Sequence, residues 1–253
     1  MASNEWTRDQ LLKALALYCQ IPFGRMHSRN PAIVALANDI GRTPSALALK
    51  LVNFASLDPE LSGRGIRGMG NSSRADKQIW AEFYGKWDAL AEYPLHTPIT
   101  SDAQGAKPRS VGTKPPNGPT ELMREVMTRR GQSFFRAAVL AAEDCKCCIT
   151  GIASESLLRA SHIIPWADNE SLRLDPRNGL CLNALHDAAF DRGLIGFSDK
   201  FELLVSPRLK DDMPQTIYGE MFENRQGERI TFRERFRPTP DMFAYHRTKV
   251  FCG

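Results

Sequence analysis

A proline-rich segment near the middle of this chain of 253 residues limits what the chain can fold into. Six prolines stand between positions 94 and 119, together with Gly, Ser and Thr and almost no large apolar side chains. Such a composition cannot bury a hydrophobic core and stays extended. The sequence therefore predicts two folded parts, residues 1–93 and 120–253, joined by a linker at 94–119.

Composition and charge exclude several classes of protein. The net charge of +4 permits a polyanionic partner without demanding one. No apolar run approaches the roughly 20 residues that cross a bilayer, and the first residues lack the basic and apolar regions of a secretory signal. The adjacent Cys147 and Cys148 suit a reduced compartment better than a disulfide framework. We therefore expect a cytoplasmic protein with no membrane partner.

The N-terminal part predicts helices between Trp6 and Leu57. A short helix, a glycine turn at Gly41 and a helix start at Thr43-Pro44-Ser45 follow one another, and the stretch from Ala35 to Ala48 resembles the helix-turn-helix family. An ordinary pair of packed helices is the alternative. The resemblance implies DNA contacts on or beside the second helix of the pair, and these would be made by Arg42, Ser45 and Lys50.

A glycine-rich and basic segment follows these helices at positions 63–74. A flexible backbone that carries guanidinium groups is suited to DNA phosphate or groove contacts, although a plain solvated loop is the alternative. A helix at 76–92, with aromatic side chains at helical spacing, is predicted to close this domain, and its aromatics are expected in the core. The arginines of the basic segment are Arg64, Arg67 and Arg74.

The C-terminal half shows a strand, a loop, a second strand and a helix. Residues 160–166 predict the first strand, which contains His162, and residues 176–182 predict the second, headed by Asn178. Residues 183–193 then predict a helix. The flanking elements predicted from periodicity are a helix at 133–143, a strand at 201–205 and a helix at 215–222.

This half resembles the HNH endonuclease family in the segments SHIIPW at 161–166 and RNGLCLNALHDAAFDRGL at 177–194. The likeness covers roughly residues 136–197, and the N-terminal helices resemble those that precede this nuclease type in bacterial restriction-like proteins. It implies a ββα-metal fold that hydrolyses phosphodiester bonds. Histidine can deprotonate water near neutral pH, so His162 is the expected general base. Asn178 resembles the family residue that ties down the loop and orients that histidine.

The resemblance also implies a divalent cation held by the helix. The usual family ligand stands nine residues after the asparagine, which here is Asp187, and His186 is a rival. Asp191 stands four residues later and shares its helical face. Carboxylates suit Mg²⁺ or Mn²⁺, whereas His186 would accept a softer metal. Many family members carry Asp or His immediately before the base, where this chain has Ser161, so a loosely held ion is expected.

Basic residues near and beyond the predicted helix have two interpretations each. Arg192 is either a phosphate contact or the partner of Asp191 in an ion pair at the helix end. Arg233 and Arg235, within a basic stretch at 229–237, would point to one side of a strand and form either a phosphate-facing ladder or a solvated strand face.

The cysteines raise the question of a structural zinc. Cys145 and Cys148 are spaced as half of a zinc knuckle, but no second pair of cysteines follows, because Cys181 stands alone. A four-cysteine zinc site is therefore not expected. Small buried apolar positions are the simpler interpretation of these residues.

The sequence as a whole predicts an α+β protein with an N-terminal helix-turn-helix-like domain and a C-terminal ββα-metal HNH nuclease domain. We expect a metal-dependent endonuclease that cuts double-stranded DNA, in a restriction or other bacterial defence system. A symmetric recognition site would require a homodimer, because one ββα centre cuts one strand. The alternatives are a DNA-binding regulator with a degenerate HNH fold, a nuclease for RNA or single strands, and a nonspecific nuclease.

Overall fold

A computed structural model of the chain describes residues 5–62, 72–93 and 119–253. Two units are distinguished by their internal contacts, Met1–Ala138 and Val139–Gly253. The linker predicted at 94–119 lies outside the described residues except for its last position, so the predicted domain limits stay a prediction. Among the described helices, none is long and apolar enough to cross a membrane.

The N-terminal unit is helical in its described residues. Each of the first three helices begins at a polar residue whose side chain accepts a hydrogen bond from the first turn, and these residues are Thr7, Asn30 and Thr43. Gly41 adopts φ +66° between the second and third helices, a conformation that glycine reaches without steric cost. The helices are α1 (Arg8–Gln20), α2 (Pro31–Asp39), α3 (Pro44–Ala55), α4 (Pro59–Ser62), α5 (Arg74–Phe83), α6 (Trp87–Ala91) and α7 (Pro119–Ala142), the last of which continues into the second unit.

The single helix predicted at 76–92 is wrong, because the chain forms α5 and α6 with a break between them. Gly85 lies in the break with φ +91°, which ends the helical run. The indole of Trp80 stacks on the ring of Tyr84 at 3.9 Å, and Trp87 is buried. The prediction that these aromatics serve the core is therefore confirmed for Trp87.

The C-terminal unit contains a ββα arrangement in the predicted order. Strands β1 (Leu158–His162) and β2 (Gly179–Asn183) pair in antiparallel register, and helix α8 (Ala184–Asp191) follows β2 directly. The first strand ends at His162 instead of continuing to Trp166, and a short 3-10 turn at Pro176–Asn178 precedes the second strand. His162 faces Gly179 across the hairpin, so His162 and the residue after Asn178 meet at one end.

Helix α8 packs against β1, β2 and the following strand, and further elements complete the unit. A second hairpin consists of β3 (Ile195–Phe197) and β4 (Leu203–Val205), and two helices follow, α9 (Gln215–Met221) and α10 (Pro240–Lys249). Within the basic stretch at 229–237, Arg229 alone takes part in a bridge, with Glu202. The strand predicted for Arg233 and Arg235 is therefore wrong.

Candidate active site

His162 stands at the end of β1 and is half-buried. Its Nε2 lies 3.0 Å from the carbonyl oxygen of Arg173. A carbonyl oxygen only accepts, so Nε2 carries the hydrogen and Nδ1 carries the lone pair in the neutral ring. Burial lowers the pKa of His162, partly offset by the hydrogen bond to Arg173. The imidazole is therefore neutral at pH 7 and able to accept a proton.

Asn178 fixes the loop that follows His162. Its side-chain oxygen accepts from the backbone N–H of Ile164 at 2.8 Å, and its amide donates to the carbonyl oxygens of Ile164 at 3.0 Å and Leu172 at 3.3 Å. Leu172 directly precedes Arg173, whose carbonyl oxygen holds the imidazole. One buried amide thus holds both ends of the 164–172 loop, which is the geometry that a residue orienting His162 requires.

Ser161 and Asp187 meet where α8 folds back over the hairpin. The hydroxyl of Ser161 donates a hydrogen bond to Oδ1 of Asp187. Ser161 is buried and Asp187 is half-buried. The carboxylate on the helix therefore lies beside the residue that immediately precedes His162.

Asp191 stands one helical turn after Asp187 and shares its electrostatic environment. Burial, together with the negative charge of Asp187, raises the pKa of Asp191 to about 6, and Arg192 partly offsets the shift. A cation beside Asp191 would offset the effect of the negative charge of Asp187 on this carboxyl group.

His186 serves the packing of α8. Its side chain is buried, and Nδ1 accepts from the amide of Asn183 at 2.7 Å while Nε2 donates to the carbonyl oxygen of Met221 at 2.9 Å. Burial lowers the pKa of His186. Both ring nitrogens are thus engaged with protein atoms, whereas the neighbouring Asp187 points to Ser161. Of the two candidate ligands, His186 is therefore the less suitable one.

The donor set at this site fits a hard divalent cation. In residues 5–62, 72–93 and 119–253, no three His, Cys, Asp or Glu side chains converge as they would in an all-protein metal cage. The oxygen-bearing groups here are Ser161 and Asp187, which are hydrogen-bonded to each other, and Asp191, one helical turn further along α8. Mg²⁺ is typically bound by one or two carboxylates and completes its shell with water and substrate phosphate.

The cysteines are free thiols. Cys145 and Cys147 are buried, and Cys147 Sγ lies 3.6 Å from the amide nitrogen of Asn183. Burial raises the pKa of Cys148 well above its usual range, so this thiol resists ionisation. These cysteines pack in the turn that supports the start of α8.

Two of the DNA contacts predicted in the N-terminal unit are engaged within that unit. Lys50 is buried, and its Nζ lies 2.8 Å from Oδ1 of the buried Asp76. Arg42 bonds to Gln10 at 3.1 Å and lies over the ring of Trp6. Breaking this pair would leave the carboxylate of Asp76 buried without a partner, so Lys50 is held within the unit. The prediction that Lys50 contacts DNA stays a prediction.

The other predicted DNA contacts differ in placement. Ser45 is exposed on α3 and Arg74 is exposed at the start of α5, while Arg64 and Arg67 lie outside the described residues. Arg192 is exposed beside the candidate site and donates to the carbonyl oxygen of Ala188 at 2.9 Å.

The predicted basic ladder does not form. Arg233 pairs with Asp144 at 2.9 Å, and Arg235 is buried with its guanidinium over the ring of Phe236. Arg235 is therefore a core residue in this arrangement.

Sequence reasoning missed the residue that holds the imidazole of His162. The carbonyl oxygen of Arg173 orients His162. The side chain of Arg173 is held in turn by Trp166: its Nε donates to the carbonyl oxygen of Trp166 at 2.9 Å, and its guanidinium lies over the Trp166 indole. The indole in turn meets the imidazole edge-on at 5.5 Å. A backbone carbonyl cannot be identified from side-chain type, so the sequence held no signal for this role.

Comparison with known proteins bears on this same region. Residues 147–198 match a family model described as HNH endonuclease. A search of curated proteins gave no match. The matched segment contains β1, β2, α8 and β3, and with them His162, Asn178 and Asp187. HNH nucleases generally use divalent metal ions. The match and the ββα geometry together support assignment of this segment to the HNH endonuclease family, which indicates nuclease activity on nucleic acid.

Proposed function

We propose that this chain is a metal-dependent endonuclease that hydrolyses double-stranded DNA as part of a restriction or related defence system. The observation that carries the proposal is the hydrogen bond from Ser161 to Asp187. This bond brings the helix carboxylate next to the residue before His162, which supports a general base and a cation site on the same ββα element. Hydrolysis of a phosphodiester needs both.

The proposed roles follow from the placement of each side chain. His162 accepts the proton of the attacking water at Nδ1, since Nε2 is committed to the carbonyl oxygen of Arg173. Asn178 is the proposed positioning residue for the loop that carries this carbonyl. Asp187 and Asp191 would hold Mg²⁺ or Mn²⁺, and the bound ion would offset negative charge on the phosphate and the leaving oxygen. His186 is not proposed as a ligand, because both its nitrogens bond to protein.

Double-stranded DNA is the proposed substrate because a separate helical unit precedes the nuclease segment. Helices α2 and α3 are joined through the turn at Gly41, as in a helix-turn-helix, and Ser45 is exposed on α3. Lys50 and Arg42 are not proposed as primary contacts. We propose that the chain divides into a DNA-binding domain, a linker and a nuclease domain. A homodimer of such chains would cut both strands at symmetric sites and give discrete fragments.

Cleavage of supercoiled plasmid with Mg²⁺ or Mn²⁺ tests the proposal. The wild-type chain should nick and linearise the plasmid, and His162→Ala should bind the same DNA without cutting it. Binding without cutting by both proteins would instead indicate a DNA-binding regulator, the alternative that Ser161 in place of Asp or His keeps open. Parallel digests of RNA and single-stranded DNA test the substrate class.

The restriction role needs a separate test. Digestion of modified and unmodified genomic DNA, with sequencing of the ends, should give discrete fragments from one of the two. Random ends from both would indicate a nonspecific nuclease and would contradict the restriction role.

A further inference from the structure

Helix α8 is held by a buried histidine near each end. His186 lies in its first turn and donates from Nε2 to the carbonyl oxygen of Met221, the last residue of α9. His246 lies in α10 and donates from Nε2 to the carbonyl oxygen of Phe190, in the last turn of α8, at 3.2 Å. Both side chains are at most 2 % exposed, so neither can contact substrate.

His246 contacts both the side chain and the backbone of Phe190. The imidazole stacks on the phenyl ring with centroids 3.9 Å apart and an interplanar angle of 6°. Burial and the charge of Arg247 lower the pKa of His246 to about 4. The ring is therefore neutral at pH 7, and its single N–H is the one given to Phe190. His246 lies outside the family match at 147–198, so this contact is an addition to the matched segment.

The C-terminal residues reinforce the same end of the helix. The backbone N–H of Cys252 donates to the carbonyl oxygen of Gly193 at 2.8 Å, and that of Phe251 donates to the carbonyl oxygen of His246 at 2.9 Å. A Cβ added to Gly193 would lie 2.0 Å from the carbonyl oxygen of Val250. The chain after α10 thus passes directly against the residue that ends α8, where a larger side chain has no room.

The rotation of α8 about its axis decides where its carboxylates point. Asp187 and Phe190 are three residues apart and Asp191 is the next residue after Phe190, so all three move together. For side-chain atoms about 5 Å from the helix axis, a rotation of about 10° shifts a carboxylate by roughly 0.9 Å. Metal–ligand distances tolerate only about 0.2 Å. Helix α8 has only 8 residues, and contacts at both of its ends restrict its rotation.

We propose that His186 and His246 are positioning residues that set the rotation of α8 and so aim Asp187 and Asp191 at their divalent cation. The inference rests on the proposed function, because it takes these two carboxylates as the cation site. It assigns the C-terminal helix α10 a part in catalysis without contact to the reacting atoms.

The test uses the full chain and compares substitutions of His246 that differ in what they keep. His246→Phe keeps a ring that can stack on Phe190 but removes the N–H donor, whereas His246→Gln keeps an N–H near the position of Nε2. Arg247→Ala is the matched control, since Arg247 lies on the same helix and bonds instead to the carbonyl oxygen of Phe197 and to Asp199. The readouts are Mn²⁺ affinity of DNA-free protein by electron paramagnetic resonance, melting temperature, and kcat and KM for plasmid cleavage.

We expect His246→Phe to weaken Mn²⁺ binding about tenfold, as is typical when a contact that orients a metal ligand is removed. The same substitution should lower kcat with little change in KM. His246→Gln should recover most of the affinity. His186→Phe should behave as His246→Phe does. Arg247→Ala should have a lower melting temperature than the wild type but the same Mn²⁺ affinity. If His246→Phe does not fold, His246→Asn, whose amide is too short to reach Phe190, takes its place against His246→Gln.

Two results would overturn the inference while leaving the proposed function in place. One is wild-type Mn²⁺ affinity in His246→Phe. The other is an equal loss of affinity in Arg247→Ala at equal loss of melting temperature, which would show a merely structural role. Mn²⁺ binding by a wild-type chain that cuts no nucleic acid would instead contradict the proposed function, and the affinities of the variants would still decide the inference. A wild-type chain that binds no Mn²⁺ would overturn both.

Discussion

The hydroxyl of Ser161 donates a hydrogen bond to the carboxylate of Asp187, and this bond joins the end of β1 to the helix that would hold the cation. The hydroxyl thus stands where a second acidic or imidazole ligand would be expected from the HNH resemblance. It orients Asp187 without adding charge.

Ser161→Asp should convert a supporting residue into a ligand. A second carboxylate buried against Asp187 repels it without a cation, so the variant should melt at a lower temperature than the wild type in EDTA. A bound ion would relieve the repulsion. We therefore expect a larger rise in melting temperature on adding Mn²⁺ than the wild type shows. Ser161→Ala is the control, and an equal rise in all three proteins would contradict this account.

The rate of cleavage should depend on pH through His162. The base acts in its neutral form, and burial lowers the pKa of His162 below its usual 6.5. The acid limb of log kcat/KM should therefore lie below pH 6.5, and activity should be lost as the pH falls through it. Rates measured between pH 4.5 and 8, with circular dichroism to confirm folding, give the midpoint. A midpoint at or above 7 would exclude the buried neutral imidazole as the base.

Asn178→Ala should cost stability as well as activity. The buried amide makes three hydrogen bonds, to Ile164 twice and to Leu172 once. Their loss leaves buried backbone groups unsatisfied, and we expect about 3 kcal/mol less free energy of unfolding. Urea denaturation measures this loss. Asn169→Ala, which removes a side-chain cap in the exposed part of the same loop, should cost less than half as much.

Glu143 should make the C-terminal unit less stable as pH rises. Burial raises the pKa of Glu143 to about 7, although the backbone N–H of Arg233 donates to it. Between pH 4.5 and 7 the folded state holds a proton that the unfolded state has lost, so stability is present at low pH and falls through this window. Glu143→Gln should remove the dependence and gain about 2 kcal/mol at pH 8. The exposed Glu234→Gln is the control, and equal pH profiles for Glu143→Gln and the wild type would contradict the prediction.

Lys50→Met should destabilise the N-terminal unit without changing how DNA binding depends on salt. The substitution strands the buried Asp76, which costs about 3 kcal/mol. A phosphate contact would instead reduce the slope of log affinity against log salt by about one. Filter binding at several salt concentrations measures that slope, with Arg74→Ala as the exposed comparison. A reduced slope for Lys50→Met would support the sequence-based prediction that Lys50 contacts DNA.

Local signals in the sequence predicted much of the fold. Gly41 predicted a helix end and Thr43 a helix start, and the order of strand, strand and helix around His162 followed from local patterns. Local patterns suffice here because caps, turns and hairpins depend on neighbours in the chain.

The features that the sequence did not predict depend on contacts between distant residues. Lys50 is buried because Asp76, 26 positions away, neutralises it. His186 faces Met221 at a separation of 35 residues, and Arg233 faces Asp144 across the unit. The sequence does not show whether a charged or imidazole side chain is exposed to solvent or bonded to a buried partner. Functional and structural roles could therefore not be distinguished for these residues.

The central claim is that Asp187 and His162 act on the same phosphodiester bond, and nicking of supercoiled plasmid in Mn²⁺ tests it most directly. His162→Ala and Asp187→Ala should each lower the nicking rate at least about a hundredfold while the affinity for duplex DNA stays within a few times that of the wild type. The double variant should be no slower than the worse of the two. A shared site would be contradicted if Asp187→Ala nicked the plasmid at the wild-type rate. It would also be contradicted if the fold-loss of rate in the double variant equalled the product of the two single losses.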